Sequence, residues 1–283
     1  MGIARMIGID QAYGDPNSFA ATIVYSMPFV YLIYKYETNF KLKSFYLFAY
    51  LPLAIICLLY TGSRSGQMTF LFFLVLLLLV SKRKLFLTLI LIGMLSFIWI
   101  KAPESYKIRF ESIFSKDLGQ KGADASAEGR IMGFLQGIKI LKENPVLGIG
   151  PGCFPYGWDG RSTGMNAHNL YGQLAGETGF IGIVGFTLLI LQSAKLHWKN
   201  KNKSKILLCD KEYMQNLVVH SEVKLIYFIS ICSLQLLALL MFNGLAGHNL
   251  YRYQWLWIIA FGIISNNFLR KYKIIQKGNL NPY

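Results

Sequence analysis

The sequence predicts an all-α fold: a polytopic transmembrane bundle of about seven helices, with one long extracytoplasmic loop that carries an amphipathic helix. Three observations predict it. Hydrophobic residues make up 54% of the 283-residue chain and charged residues only 15%, where a soluble domain carries about 25% charged residues. Long apolar runs recur at Phe19–Tyr34, Phe45–Tyr60, Met68–Val80, Leu85–Ile100, Phe180–Leu191, Ile226–Phe242 and Trp255–Phe268. Most of these reach the roughly 20 residues that span hydrocarbon once their flanks are counted, the run from Met68 being short. Lysines and arginines collect at the ends of the runs, so the net charge of +15 reads as membrane orientation and not as nucleic-acid binding.

Taken in order, the runs give helices at about 17–36, 44–61, 66–81, 85–101, 170–194, 224–242 and 250–269. Helices are the natural choice because every backbone polar group in lipid must be paired internally. With the chain start outside, the loops at 35–43, 81–84 and 195–224 and the tail after 269 are cytoplasmic. They hold 17 of the 29 Lys and Arg. Three regions follow: a transmembrane region over 1–101, an extracytoplasmic loop over 102–169, and a second transmembrane region over 170–283 with a basic loop and tail. The first residues lack the basic-then-apolar order of a cleavable leader. The four cysteines, Cys57, Cys153, Cys209 and Cys232, are too scattered for a disulfide framework or a zinc motif.

The long loop is too polar to span, and loops of that length usually carry function or are disordered. From about Ala127 to Glu143 its pattern is helical, with Ser126 as N-cap and Pro145 as stop. Ile131, Phe134, Leu135, Ile138 and Leu141 make one stripe, so this helix is expected to lie flat on the membrane or on the bundle. Arg130 falls at the edge of that stripe, either snorkelling or holding a ligand. Gly148, Gly150 and Gly152 lack the strand and crossover helix of a nucleotide-binding turn. They read as a tight backbone path.

His168 opens the next helix at the mouth of the bundle, as a structural histidine or as a proton acceptor near neutral pH. Arg64 lies in the short outer turn Thr61–Gly66, beside hydrocarbon, where a cation tends to face a cavity or a partner. Arg64, Arg130 and His168 come from three segments that the charge pattern puts on one side. Two guanidiniums and an imidazole suit a lipid-borne diphosphate, because arginine grips phosphate with two parallel hydrogen bonds and keeps its charge. Three residues are possible supports. Glu177 is an ionisable group inside a spanning helix, which implies a partner, a cavity or a salt bridge. His248 opens a second His-Asn-Leu-Tyr at 248–251 that repeats residues 168–171. It could pair with the first, bind a metal with it, or be coincidental. Its neighbour Arg252 could help to bind anionic lipid.

Four segments together resemble the O-antigen ligase and O-antigen polymerase family of bacterial membrane proteins. They are Ser63-Arg-Ser-Gly66 opening a helix, Gly129-Arg130 opening an amphipathic helix, Asn144-Pro-Val-Leu-Gly-Ile-Gly-Pro-Gly-Cys-Phe154, and His168-Asn-Leu170 followed by Gly176-Glu-Thr-Gly-Phe-Ile-Gly182. The resemblance runs from about Pro16 to Leu269. It implies a glycosyltransferase of the bacterial cytoplasmic membrane with its active face outside. The donor would be a glycan on undecaprenyl diphosphate, and the acceptor a glycan or a lipid core. No metal or other cofactor, and no nucleic acid, would be required. By the same resemblance Arg64 and Arg130 would hold the diphosphate and His168 would be the base. The resemblance leaves ligase and polymerase equally open. Against the family's pattern, the helices that ordinarily precede the first core helix are expected to be missing. A transporter component and an inactive fragment of the family are the competing readings. A transporter would carry charges or broken helices near the midplane, whereas the unusual polar residues here gather at one face.

Overall fold

The computed structural model describes residues 5–8, 14–81, 121–157, 167–210 and 216–277, together with positions 92, 93, 96 and 100. Side chains are described from Glu128 in the loop helix and up to Lys271 in the last helix. Among the described residues the chain is all-helical: α1 (Pro16–Tyr36), α2 (Phe40–Tyr60), α3 (Arg64–Val80), α4 (Lys121–Glu143), α5 (Leu170–Leu207), α6 (Leu217–Asn243) and α7 (Gln254–Lys277). Six of these fall on six of the seven apolar runs. The remaining run, at 85–101, lies outside the described residues except for four helical positions. The loop helix α4 makes up the seven.

By length and composition α2, α5 and α6 can cross a membrane, and α3 is a shorter apolar helix. Pro52 interrupts α2. Residues Tyr46–Tyr50 take a π-turn just ahead of it, closed by Leu51 N–H donating to the Tyr46 carbonyl, the usual adjustment where a proline disturbs the helical ladder. Exposed apolar side chains stud the spans: Phe48, Leu53, Leu79, Phe180, Ile181 and Leu191. An apolar surface of that extent needs an apolar partner, which lipid supplies.

The chain gathers into two compact units. One comprises Met1–Tyr25, Pro52–Ile183 and Leu239–Leu250, and the other Ser26–Leu51, Val184–Ala238 and Tyr251–Tyr283. The second is knit by ring pairs (Phe29 with Phe261, Tyr31 with Phe228, Phe186 with Trp255). Side chains there also bond across helices: His197 Nε2 to the Ile258 carbonyl at 2.8 Å, and Asn200 Nδ2 to the Gly262 carbonyl at 2.9 Å. Ser193, Ser204, Ser230, Ser233 and Ser265 are buried beside them. Small and polar residues are what membrane helices use at their contacts, because lipid offers no hydrophobic penalty for separation.

In the first unit a polar knot ties α1, α3 and the end of α6. Asn243 Nδ2 donates to the Tyr25 hydroxyl at 2.8 Å, and the Thr69 hydroxyl donates to Asn243 Oδ1 at 3.3 Å. The outer turn is held likewise. Ser63 caps α3 by accepting from Gly66 N–H and gives its own proton to Asn17 Oδ1 at 2.8 Å. Arg5 donates to the Thr61 carbonyl at 2.7 Å and to Asn17 Oδ1 at 3.2 Å.

One expectation about the loop helix is corrected: it starts at Lys121, ahead of the N-cap expected at Ser126. Its apolar stripe and the side packed on protein are different faces. Ile131, Phe134 and Leu135 are exposed, while Gly133, Gly137 and Ile140 are buried. A Cβ at Gly133 would collide with the backbone of Ala167, and one at Gly137 with the backbone of Gly172. So α4 runs lengthwise beside the start of α5, backbone to backbone, at a distance that only glycine permits.

Candidate functional site

The loop after α4 and the helix α5 complete each other. Gly179 breaks α5 with φ 60° and ψ −161°. A break there frees the carbonyls of Gly176 and Glu177 and the N–H groups of Phe180 and Ile181. Those same four groups pair with the loop. Ile149 N–H donates to Gly176 O and Gly150 N–H to Glu177 O, while Phe180 N–H donates to Pro145 O and Ile181 N–H to Val146 O, at 2.8–3.2 Å. The backbone account therefore closes, as it must where water is scarce. Gly148 takes φ +66°, and a Cβ on it would lie 2.5 Å from Glu177 backbone atoms. The tight path expected from the glycine spacing is what forms.

Glu177 serves this junction. It is 1% exposed, accepts from Phe154 N–H at 3.2 Å and accepts from Gln173 Nε2 at 3.3 Å. Phe154 drops beneath it into a small core with Ile140 and Ala167, with Ile149 packed alongside. Glu177 is thus placed as a brace for the Pro145–Phe154 loop.

Above that core lies the start of α5. Asn169 is its cap: Oδ1 accepts from Tyr171 N–H at 2.9 Å and from Gly172 N–H at 3.0 Å, which satisfies donors that a helix start leaves open. His168 precedes the cap, exposed, with φ +46°. It is the only non-glycine with positive φ among the described residues. A histidine held there carries some strain, of the kind that collects at functional positions.

Arg130 lies on α4 in line with Gly133 and Gly137, one turn earlier, so it continues the face that packs on Ala167. It is partly buried. Burial, and after it the like charge of Arg64, pull its guanidinium below the ordinary arginine value. Arginine still stays charged at neutral pH. Arg64, the first residue of α3, is also partly exposed. Its cation stands at the positive end of the α3 dipole. Two guanidiniums that feel each other, one of them at a helix N-terminus, make a field that favours an anion.

Five of the six residues singled out in the sequence belong to the first unit: Arg64, Arg130, His168, Glu177 and His248. The His168 and His248 rings lie 5.4 Å apart, edge to face at 66°. Arg252 belongs to the second unit, in the turn ahead of α7, where its carbonyl accepts from Trp255 N–H. Among the described residues no group of three or more His, Cys, Asp or Glu is arranged to hold a metal ion.

Sequence reasoning passed over Gly133, Gly137 and Asn169. A Gly-x-x-x-Gly spacing at 133–137 was the available signal for the first two. For Asn169 it was the position immediately ahead of an apolar helix.

Residues 49–187 match the family model described as O-antigen ligase. The matched segment contains Arg64, Arg130, His168 and Glu177 and stops short of His248. The comparison with curated proteins found no match.

Proposed function

We propose that the chain, whose residues 49–187 match the family model described as O-antigen ligase, is a membrane glycosyltransferase of that family acting on a glycan carried by undecaprenyl diphosphate. The acceptor hydroxyl attacks the anomeric carbon of the donor sugar. The bond from that carbon to the phosphate oxygen breaks, and the lipid diphosphate leaves with the bonding electrons. His168 takes the acceptor's proton, and Arg64 and Arg130 hold the departing diphosphate. The reaction face is extracytoplasmic, on the bacterial inner membrane, and the acceptor is a second glycan or a lipid core.

One arrangement supports this reading: Arg130 is partly buried on the α4 face that packs on Ala167, the residue next to His168, and it lies within the electrostatic influence of Arg64. An anion shared by two guanidiniums is stabilised by both of them. A diphosphate is such an anion, and its charge rises as the glycosidic bond breaks. Donors fixed where charge develops stabilise the transition state more than the ground state. The base's part is consistent with the exposed, strained setting of His168, since general-base help is typically worth about 10²–10⁴-fold.

The test is transfer from a lipid-linked oligosaccharide by the full chain in proteoliposomes. His168→Ala should insert normally and lose about 10²–10⁴-fold in transfer rate. Full transfer by that variant would refute the assignment.

A further inference from the structure

The two His-Asn-Leu-Tyr copies meet in the first unit. Asn169 Nδ2 donates to the Leu245 carbonyl at 3.1 Å, and Asn249 Nδ2 donates to the Leu240 carbonyl at 2.8 Å. Both asparagines are buried, at 7% and 4% exposure, and both bond to the C-terminal end of α6 and the turn after it. The first copy adds two more ties, Leu170 N–H to the Gly244 carbonyl at 2.8 Å and the Tyr171 hydroxyl to the Met241 carbonyl at 2.9 Å. The last turn of any helix leaves carbonyls without intrahelical partners. Of these, the first copy takes the Met241 carbonyl and the second takes the Leu240 carbonyl, which also accepts from Gly244 N–H, while Gly244 and Leu245 lie in the turn beyond; together the bonds fix the residue ahead of each asparagine. Those residues are His168 and His248. Both imidazoles are exposed, yet their centroids are 5.4 Å apart with the edge of one against the face of the other.

An exposed side chain ordinarily samples several staggered rotamers. A general base needs one, because it must lie within hydrogen-bond reach of the proton it removes. We propose that His248 is a positioning residue for His168. Its ring holds the His168 imidazole in the orientation that faces the acceptor hydroxyl, and it acts through His168 alone. This rests on the reading of His168 as base. It assigns a role to a residue outside the matched domain and a reason for the repeated motif: each copy buries an asparagine in the same helix end so that the two rings are presented together.

The experiment compares His168→Ala, His248→Ala, His248→Phe and the double variant His168→Ala/His248→Ala in the full chain, with a polyprenyl-diphosphate-linked oligosaccharide as donor. His248→Ala should lower kcat by about 10- to 100-fold, the scale of a small misplacement of a reacting group, with the donor KM within about twofold. His248→Phe should recover most of the rate, because it keeps an aromatic edge of similar size while carrying no proton. The double variant should match His168→Ala, since a residue that acts only through another has no effect without it. His248→Asn, which keeps a polar turn residue but no ring, gives the same reading if the alanine form fails to insert.

A wild-type rate in His248→Ala beside an inactive His168→Ala overturns the inference and leaves the base assignment standing. So does a phenylalanine variant as slow as alanine, or a double variant slower than His168→Ala. Full activity in His168→Ala removes both.

Discussion

His197 is fully buried along α5, its Nε2 giving a hydrogen bond to the Ile258 carbonyl. His168, just ahead of the same helix, is exposed and sits at φ +46°. One residue type thus serves two ends. In the second unit an imidazole is spent on joining helices, beside Asn200 and a set of buried serines. In the first it is presented to solvent at a conformational cost, with two arginines supplied by other segments of the same unit. The difference teaches that a polar side chain in a membrane protein is not by itself a functional signal. What distinguishes the two is whether the local structure uses the polar atom or sets it out unused.

The sharpest way to break this contrast is to remove each imidazole in turn. His168→Ala should cut transfer by about 10²–10⁴-fold, the usual worth of a general base. His197→Phe should leave turnover of the folded protein near the parent value; a comparable loss in both, with insertion intact, would erase the distinction. Next in size is Arg130→Lys. It keeps the charge but loses the planar fork, and a loss of about 10-fold or more in kcat/KM is expected from the weaker phosphate grip. Activity assays over a donor series would show it, and an unchanged value would argue that only net charge matters at that position.

Gly148→Ala probes the scaffold beneath the first site. The position is left-handed and crowded by Glu177, so the variant should lose about 1–3 kcal/mol of stability, read as a lowered melting temperature in detergent. An unchanged melt would mean that the loop can move away from α5 at no cost. The smallest effect belongs to the second unit: Asn200→Leu should cost about 0.6 kcal/mol, the average worth of an interhelical hydrogen bond in a membrane protein, with transfer preserved.

Much of the fold was legible because apolar runs and spanning helices obey the same length rule. The run Phe19–Tyr34 became α1, and Ile226–Phe242 lies within α6. Of the candidate site, the charge pattern put Arg64 and Arg130 on one side, and the structure holds both in the first unit, where Arg64 acts electrostatically on Arg130.

The rest was hidden for physical reasons. The packing of α4 depends on Gly133 and Gly137 meeting the backbone of α5, and a contact made by absent side chains leaves no apolar stripe to read. The exposed stripe of Ile131, Phe134 and Leu135 marks a different face of the helix from the one packed on protein. The break at Gly179 fell inside the helix expected at 170–194, because the loop that satisfies its freed groups arrives from residues 145–150. Glu177 accepts from Gln173, one turn earlier on its own helix, and from the Phe154 backbone, and the second of these donors carries no sequence signature.

The account stands most directly on the claim that Arg64 and Arg130 form one diphosphate site, and equilibrium binding of a short polyprenyl diphosphate to the protein in nanodiscs tests it without needing the acceptor. The parent protein should bind more weakly as salt rises. Arg64→Ala and Arg130→Ala should each weaken binding at least about tenfold, the order expected when a charge-assisted hydrogen bond is lost, and the double variant should lose less than the sum of the two because both act on one ligand. Affinity unchanged in either single variant would contradict the shared site.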